Sequence, residues 1–292
     1  MNSLPPYTLF GLQSKLEDSK YVVLPIPYDS TSSYIPGSRF APHKIIEASR
    51  EVELYDFETG FHLSDAKIHT LHELKPLRGD PLGMIKRIAE AVARIFADRK
   101  FPVILGGEHT VTIGAVGAAH TLFPDLWVVI LDAHADLRDS FEGTMYSHAC
   151  VTKRILDLTE NVVLLGVRSL SLEEAELIEK TKIKISYSDS LKQDLRFRTL
   201  PISSEIGRKP VYLSIDVDVF NPAEAPCVSS PEPGGLSWDN VVQLLRELSK
   251  LNIIAFDIVE FTPCTDGGRT AILVSTLIKK LISYIESRSS QI

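Results

Sequence analysis

Apolar runs of strand length recur along the chain, at 21–25, 102–105, 126–131, 162–165, 211–215 and 253–258. Several are apolar almost throughout, the pattern of strands buried on both faces. Between them lie segments with helical spacing. Over 81–98, Ile85, Ile88, Ala89, Val92 and Ile95 form one stripe. Residues 238–250 give a second helix, with Ser237 as its N-cap, and 268–287 a C-terminal one. This alternation predicts a mostly parallel sheet with helices on both faces. The chain has no linker-like stretch, repeat or low-complexity segment, so 1–292 reads as a single domain. Segments 28–42 and 221–236 are rich in Ser, Pro and Gly and follow neither period. They read as long ordered loops, which in α/β domains often carry function.

Open α/β sheets bind ligands at the carboxyl ends of their strands. After 102–105 comes Gly106-Gly107-Glu108-His109, with Thr110 opening a helix. Alone, this reads as a strand-to-helix turn with a surface histidine. After 126–131 comes Asp132-Ala133-His134-Ala135-Asp136. In extended backbone, positions i, i+2 and i+4 share a face, so two carboxylates and an imidazole would converge. After 211–215, Asp216 and Asp218 repeat the pattern. After 253–258, Glu260 stands between Val259 and Phe261, where alone it reads as a partner for some arginine. Together the runs bring four Asp, two His and one Glu to one end of one sheet. Such crowded carboxylates repel unless cations neutralise them. The donors are oxygen and imidazole with no thiolate, which suits Mn²⁺ better than structural zinc. Residue chemistry thus reaches a binuclear metallohydrolase.

Lys plus Arg number 31 and Asp plus Glu 38, a formal charge of −7 with no basic run, so nucleic acid is an unsuited partner. No apolar stretch approaches the roughly 18 residues that cross a bilayer, and the first residues do not form a secretory signal. Cys150, Cys227 and Cys264 are too few and too far apart for a disulfide framework and read as free thiols of a cytoplasmic protein.

Gly106-Gly107-Glu108-His109-Thr110, Leu131-Asp132-Ala133-His134-Ala135-Asp136 and Ser214-Ile215-Asp216-Val217-Asp218 closely resemble the three metal signatures of the ureohydrolase (arginase/agmatinase) family. Similar matches include Pro27-Tyr28-Asp29 through Phe40, Gly166-Val167-Arg168, Ala225-Pro226, Pro231 through Gly235, and Asp257 through Glu260. They span about 20–275, leaving 1–19 as an N-terminal extension. The resemblance implies the three-layer α/β/α ureohydrolase fold and two Mn²⁺ per subunit. His109, Asp132, Asp136 and Asp216 would hold one ion. Asp132, His134, Asp216 and Asp218 would hold the other, with Asp132 and Asp216 bridging. It further implies attack of a metal-bridging hydroxide on a guanidinium paired with Glu260, and His148 as proton shuttle to the departing amine. On the residues alone, His148 reads as a surface or helix-start histidine.

Arginases resemble one another in an Asn- and Ser-bearing loop after the second signature. Here 137–143 lacks that Asn and carries Asp139 and Glu142. An acidic mouth suits a cationic tail, which makes agmatine the expected substrate and Asp139 and Glu142 candidate substrate-binding residues. Guanidinobutyrate, guanidinopropionate and arginine are alternatives, as is a non-catalytic metal-binding homologue, although every expected ligand is present. The related deacetylases carry little weight, because they use an adjacent His-His pair that this chain lacks. Departures from the family pattern are Asn221, expected near the metals; Cys227, near the mouth; and Ala149. The family implies a homotrimer or homohexamer.

Overall fold

A computed structural model describes residues 7–194 and 202–289. Residues 1–6 of the expected N-terminal extension lie outside them. The strands are β1 (Tyr21–Pro25), β2 (Tyr55–Asp56), β3 (Phe61–His62), β4 (Ile68–Thr70), β5 (Phe101–Leu105), β6 (Trp127–Leu131), β7 (Val162–Val167), β8 (Lys184–Tyr187), β9 (Pro210–Asp216) and β10 (Asn252–Val259). The helices are α1 (Ala41–Ser49), α2 (Pro81–Ala97), α3 (Val111–Leu122), α4 (Val151–Leu156), α5 (Leu172–Lys180), α6 (Ser188–Gln193), α7 (Ile202–Ile206), α8 (Trp238–Leu248) and α9 (Arg269–Ser289).

Eight strands form one sheet in the order β4-β1-β5-β10-β9-β6-β7-β8, and every neighbouring pair is parallel. Strand period 2 sends alternate residues to opposite cores. Val103, Val129, Leu131, Leu213 and Ile215 pack with α1, α8 and α9. Ile104, Val128, Ile130, Leu164 and Tyr212 pack with α2, α3 and α4. The result is the three-layer α/β/α architecture expected from the apolar runs.

The expected helices over 81–98, 238–250 and 268–287 correspond to α2, α8 and α9. Ser237 caps α8 in a reciprocal pair with Asn240. The edge strands β4 and β8 were not among the expected runs. They are three and four residues long and mostly half-buried, because an edge strand needs no continuous apolar run.

The cysteines depart from expectation. Cys227 and Cys264 form a disulfide, and among the described cysteines only Cys150 is free. A sequence separation of 37 hides the pairing in the sequence. Yet the two cysteines follow the neighbouring strands β9 and β10, where Val228 and Phe261 form an antiparallel bridge and Thr262 N–H donates to the Cys227 carbonyl at 3.0 Å.

The order places four sequence-distant motifs on four adjacent central strands: β5 ends before His109, β10 before Glu260, β9 before Asp218 and β6 before Asp132. Their ends are level, with Leu105 paired to Ile258, Ile258 to Ile215 and Ile215 to Leu131. Loop 28–42 folds over them. Its Asp29 accepts the Gly37 N–H at 2.9 Å and pairs with Arg39. Gly107 permits this closeness, since a Cβ there would stand 2.0 Å from the Tyr28 carbonyl oxygen. We expect Gly107→Ala to cost about 2–3 kcal/mol of stability. Gly117, inside α3 with open space around it, gives the opposite expectation: Gly117→Ala stabilises by roughly 0.5–1 kcal/mol. Urea unfolding of both variants checks this, and equal effects would contradict the packing described.

Candidate metal centre

The second signature leaves β6 and does not stay extended. Asp136 has φ 51° and Glu260 has φ 63°, both left-handed and uncommon for residues with a side chain. Each turns a carboxylate toward the strand ends, and such strain concentrates at functional sites. All six predicted ligands converge. His109 Nδ1 lies 3.0 Å from Asp132 Oδ2, 3.2 Å from Asp136 Oδ2 and 3.4 Å from Asp216 Oδ2. His134 Nδ1 lies 2.9 Å from Asp218 Oδ2 and 3.6 Å from Asp132 Oδ1. Asp132 therefore presents one oxygen to each histidine and belongs to both groups that could hold a metal.

Ser214 Oγ donates to Asp257 Oδ1 at 2.6 Å, so it accepts the Nε2–H of His109 at 3.1 Å. That leaves a lone pair on His109 Nδ1, facing three carboxylate oxygens. His109 Nδ1 and Asp132 Oδ2 are buried without an aligned hydrogen bond. Four acceptors aimed at one another require a cation. A proton on Nδ1 is one answer: burial opposes it, but acceptance by Asp132 and Asp136 raises the His109 pKa well above its usual value. A divalent ion satisfies the same acceptors with twice the charge. The residues fit such a metal: hard oxygen and imidazole donors with their other atoms already engaged.

The supporting shell comprises residues to which the sequence reading gave no role. Asp257 is buried and accepts from Ser214, Thr112 and Tyr212. The Asp218 N–H donates to Asp216 Oδ1 at 2.8 Å, and Ala133 N–H to Asp218 Oδ1 at 3.0 Å. Glu232 stands 3.7 Å from His134 Nε2 and accepts the Ser169 hydroxyl at 2.9 Å. Arg168 donates to the carbonyls of Asp218, Phe220 and Glu232, tying the third signature to the 232 turn. An arginine directly after an apolar strand was the available signal for Arg168, since a guanidinium at a buried strand end needs several acceptors.

The electrostatics are those of crowded, buried acids. Burial and then the Asp132 charge push Asp136 up to about 7. Burial, with Asp218 and Asp132 beside it, holds Asp216 well above the carboxylate range. Burial pushes Glu260 up to about 7. Burial disfavours the charge on His134, but Asp218 and Asp132 outweigh it and push the group up to about 12. Asp132 moves the other way: burial would raise it, yet His109 and His134 lower it.

A cavity of about 170 Å³ opens onto this cluster, smaller than the roughly 300 Å³ of a drug-sized site and so suited to a small molecule. Lining it are His109, His134, Asp136, Asp216, Asp218 and Glu260, together with His148, Ser33, Ser230, Arg138, Phe141 and Ala149. Glu260 Oε1 accepts the His109 N–H at 2.6 Å. His148 opens a short 3₁₀ turn over 148–150 whose N-cap is Ser147. Burial holds its pKa below the usual value. Asp139 and Glu142 are not among the lining residues. Asp139 is exposed and pairs with Arg154 at 2.8 Å, and Glu142 sits at a left-handed turn position. Arg138 reaches the cavity instead, 5.3 Å above the Phe141 ring, and Phe141 meets His148 edge-on at 5.7 Å. Asn221, expected near the metals, accepts the Ala223 N–H and caps a local turn.

The family model described as "Arginase family" matches residues 19–283. The chain belongs to the arginase family. Its enzyme class is that of the ureohydrolases. It is 34% identical over 274 residues to an N(1)-aminopropylagmatine ureohydrolase of Synechocystis sp., covering 91% of this chain and 89% of that one. It is 32% identical over 278 residues to an agmatinase of Halalkalibacterium halodurans, covering 92% and 93%. The crystal structure of an agmatine ureohydrolase of Thermoplasma volcanium superposes with a TM-score of 0.92 at 36% identity, covering 100% and 97%. No helix among the described residues is long and apolar enough to cross a membrane.

The charge balance gives a pH prediction. Carboxylates and histidines whose folded pKa is raised stabilise the fold while protonated, and that contribution is lost as pH rises through their folded values. For Asp136 and Glu260 that point is about 7. Asp132, shifted downward, is ionised in folded and unfolded chains alike above about pH 5 and adds no slope there, while His148, also shifted downward, opposes the trend as one group among several. We therefore expect the chelator-treated protein to melt lower at about pH 8 than at about pH 5.5. Mn²⁺ should flatten or reverse the slope by replacing protons as counter-charge. Calorimetry at both pH values tests this, and identical slopes with and without metal would contradict a cation-requiring nest.

Proposed function

We propose that the chain is a binuclear manganese hydrolase that cleaves agmatine to putrescine and urea. His109, Asp132, Asp136 and Asp216 would hold one Mn²⁺, and Asp132, His134, Asp216 and Asp218 the other. Bound divalent ions supply the Lewis acidity that makes water nucleophilic near neutral pH. The observation that carries the reading is Glu260, a buried carboxylate facing the same small cavity as the ligand cluster. A carboxylate there pairs with a guanidinium and fixes its central carbon over the cluster. Its oxygen accepting the His109 N–H and its contact with the Ser229 hydroxyl hold that orientation.

Hydrolysis forms a C–O bond from water, breaks one C–N bond and needs a proton on the departing amine. His148 lines the cavity and can carry that proton; its lowered pKa makes it a readier donor once protonated. Agmatine is favoured by the likeness to enzymes named for it. Glu142 and Asp139, neither of which lines the cavity, would favour its ammonium end through charge alone, and Asp139 shares its charge with Arg154. Arg138 favours a second reading, a guanidino acid such as guanidinobutyrate, because its guanidinium at the cavity wall would attract a carboxylate. Relatives named for N(1)-aminopropylagmatine make a longer cationic tail a third member of the same class. Cytoplasmic residence, a single domain and a homotrimer or homohexamer enter the proposal through the family.

The test is urea release by the Mn²⁺-loaded enzyme from agmatine, aminopropylagmatine, arginine, guanidinobutyrate and guanidinopropionate at equal concentration. Agmatine should lead by about tenfold, or ~1.4 kcal/mol in transition-state binding. A lead for a guanidino acid would overturn the substrate and assign its carboxylate to Arg138. His148→Ala should lower kcat by roughly 10²-fold with manganese content unchanged. Loss of manganese in that variant would contradict the proton-donor role.

A further inference from the structure

Glu108, in the first signature, is fully buried, neither lines the cavity nor joins the ligand cluster, and has no part in the chemistry above. Its carboxylate is turned toward loop 28–42. Oε2 accepts the Thr31 N–H at 2.7 Å and Oε1 accepts the Thr31 hydroxyl at 2.9 Å. The Ser32 hydroxyl lies at 3.5 Å, and Thr110 supplies a further hydrogen bond to the carboxylate. On its other side the same Thr31 hydroxyl meets His148. It accepts the His148 backbone N–H at 3.0 Å and stands 3.3 Å from the ring Nδ1.

A threonine hydroxyl has one hydrogen and two lone pairs. Donation to Glu108 uses the hydrogen, so toward His148 the oxygen can only accept. The ring contact is then Nδ1–H donating to Thr31 Oγ1, and the lone pair sits on Nε2. Ser147, whose hydroxyl is also 3.3 Å from Nδ1, can accept the same proton; its donation to Nδ1 instead would set lone pairs of Nδ1 and Thr31 Oγ1 against each other at 3.3 Å. Nε2 points to Ser33, a cavity-lining residue, at 3.3 Å. We propose that Glu108 and Thr31 form a positioning pair that sets the tautomer and orientation of His148, holding Nε2 toward the substrate. Thr31 acts through His148 and touches no reacting atom. The inference rests on the reading of His148 as proton donor.

Steady-state urea release by Mn²⁺-loaded Thr31→Val, Thr31→Ser and His148→Ala, and by the double variant, tests it. Thr31→Val removes the hydroxyl at nearly constant volume. It should lower kcat by about tenfold, less than the roughly 10²-fold expected on losing His148 itself, with KM and manganese content nearly unchanged. Thr31→Ser should restore most of the loss. In the His148→Ala background Thr31→Val should cost nothing further, because the residue it positions is gone. An equal loss in both backgrounds, a loss expressed in KM alone, or full activity in Thr31→Val would overturn the proposal. Should Thr31→Val fail to fold, Thr31→Ala replaces it in the same cycle. No urea from any guanidino substrate with the unaltered enzyme would overturn the functional reading and this inference together. An active enzyme with a non-coupled Thr31 would overturn this inference alone.

Discussion

Everything in this molecule answers to the crowding of negative charge at the ends of four central strands. Asp132, Asp136, Asp216, Asp218 and Glu260 are all buried there. Ionised together without counter-charge they would destabilise the fold, and burial with neighbouring carboxylates already holds Asp136 and Asp216 above the usual carboxylate range. Two histidines soften the problem but do not solve it, because the Nε2–H of His109 is already given to Ser214. The geometry instead offers two groups of candidate ligands, His109 with Asp132 and Asp136, and Asp132 with His134 and Asp218, that share Asp132. The price in backbone strain at Asp136 and Glu260 is what lets carboxylates from different strands aim at common points.

The sheet makes that aiming possible. Because all eight strands run parallel, every carboxyl end faces the same way. Because β5, β10, β9 and β6 are adjacent and level, residues far apart in sequence meet within a few ångströms. Outside the ligand set, Asp257, Arg168 and Glu232 fix individual ligands, and Glu108 faces loop 28–42. The shell is polar and largely satisfied, which in a low-dielectric interior is what makes a site rigid.

Much of this was legible in the residues. Strands apolar throughout announced a doubly covered sheet, and polar clusters directly after them marked the ligand end. The edge strands β4 and β8 were not legible, because short half-buried strands carry no continuous apolar run. The Cys227–Cys264 pair was hidden because its partners are brought together by strand order, not by spacing. Extended backbone through Asp136 would have been the simpler expectation, but left-handed backbone at a residue other than glycine leaves no mark in one sequence. Asp139 illustrates a different limit: a loop carboxylate reads the same whether it faces a substrate or, as here, Arg154. The role of Thr31 depends on which way one hydroxyl points, which only the surrounding acceptors decide.

The most direct measurement is an anomalous difference map at the manganese edge from crystals of the Mn²⁺-loaded protein. The account predicts two peaks flanking Asp132, one beside His109 Nδ1 and the other beside His134 Nδ1. A single peak, or manganese bound away from these six residues, would contradict it.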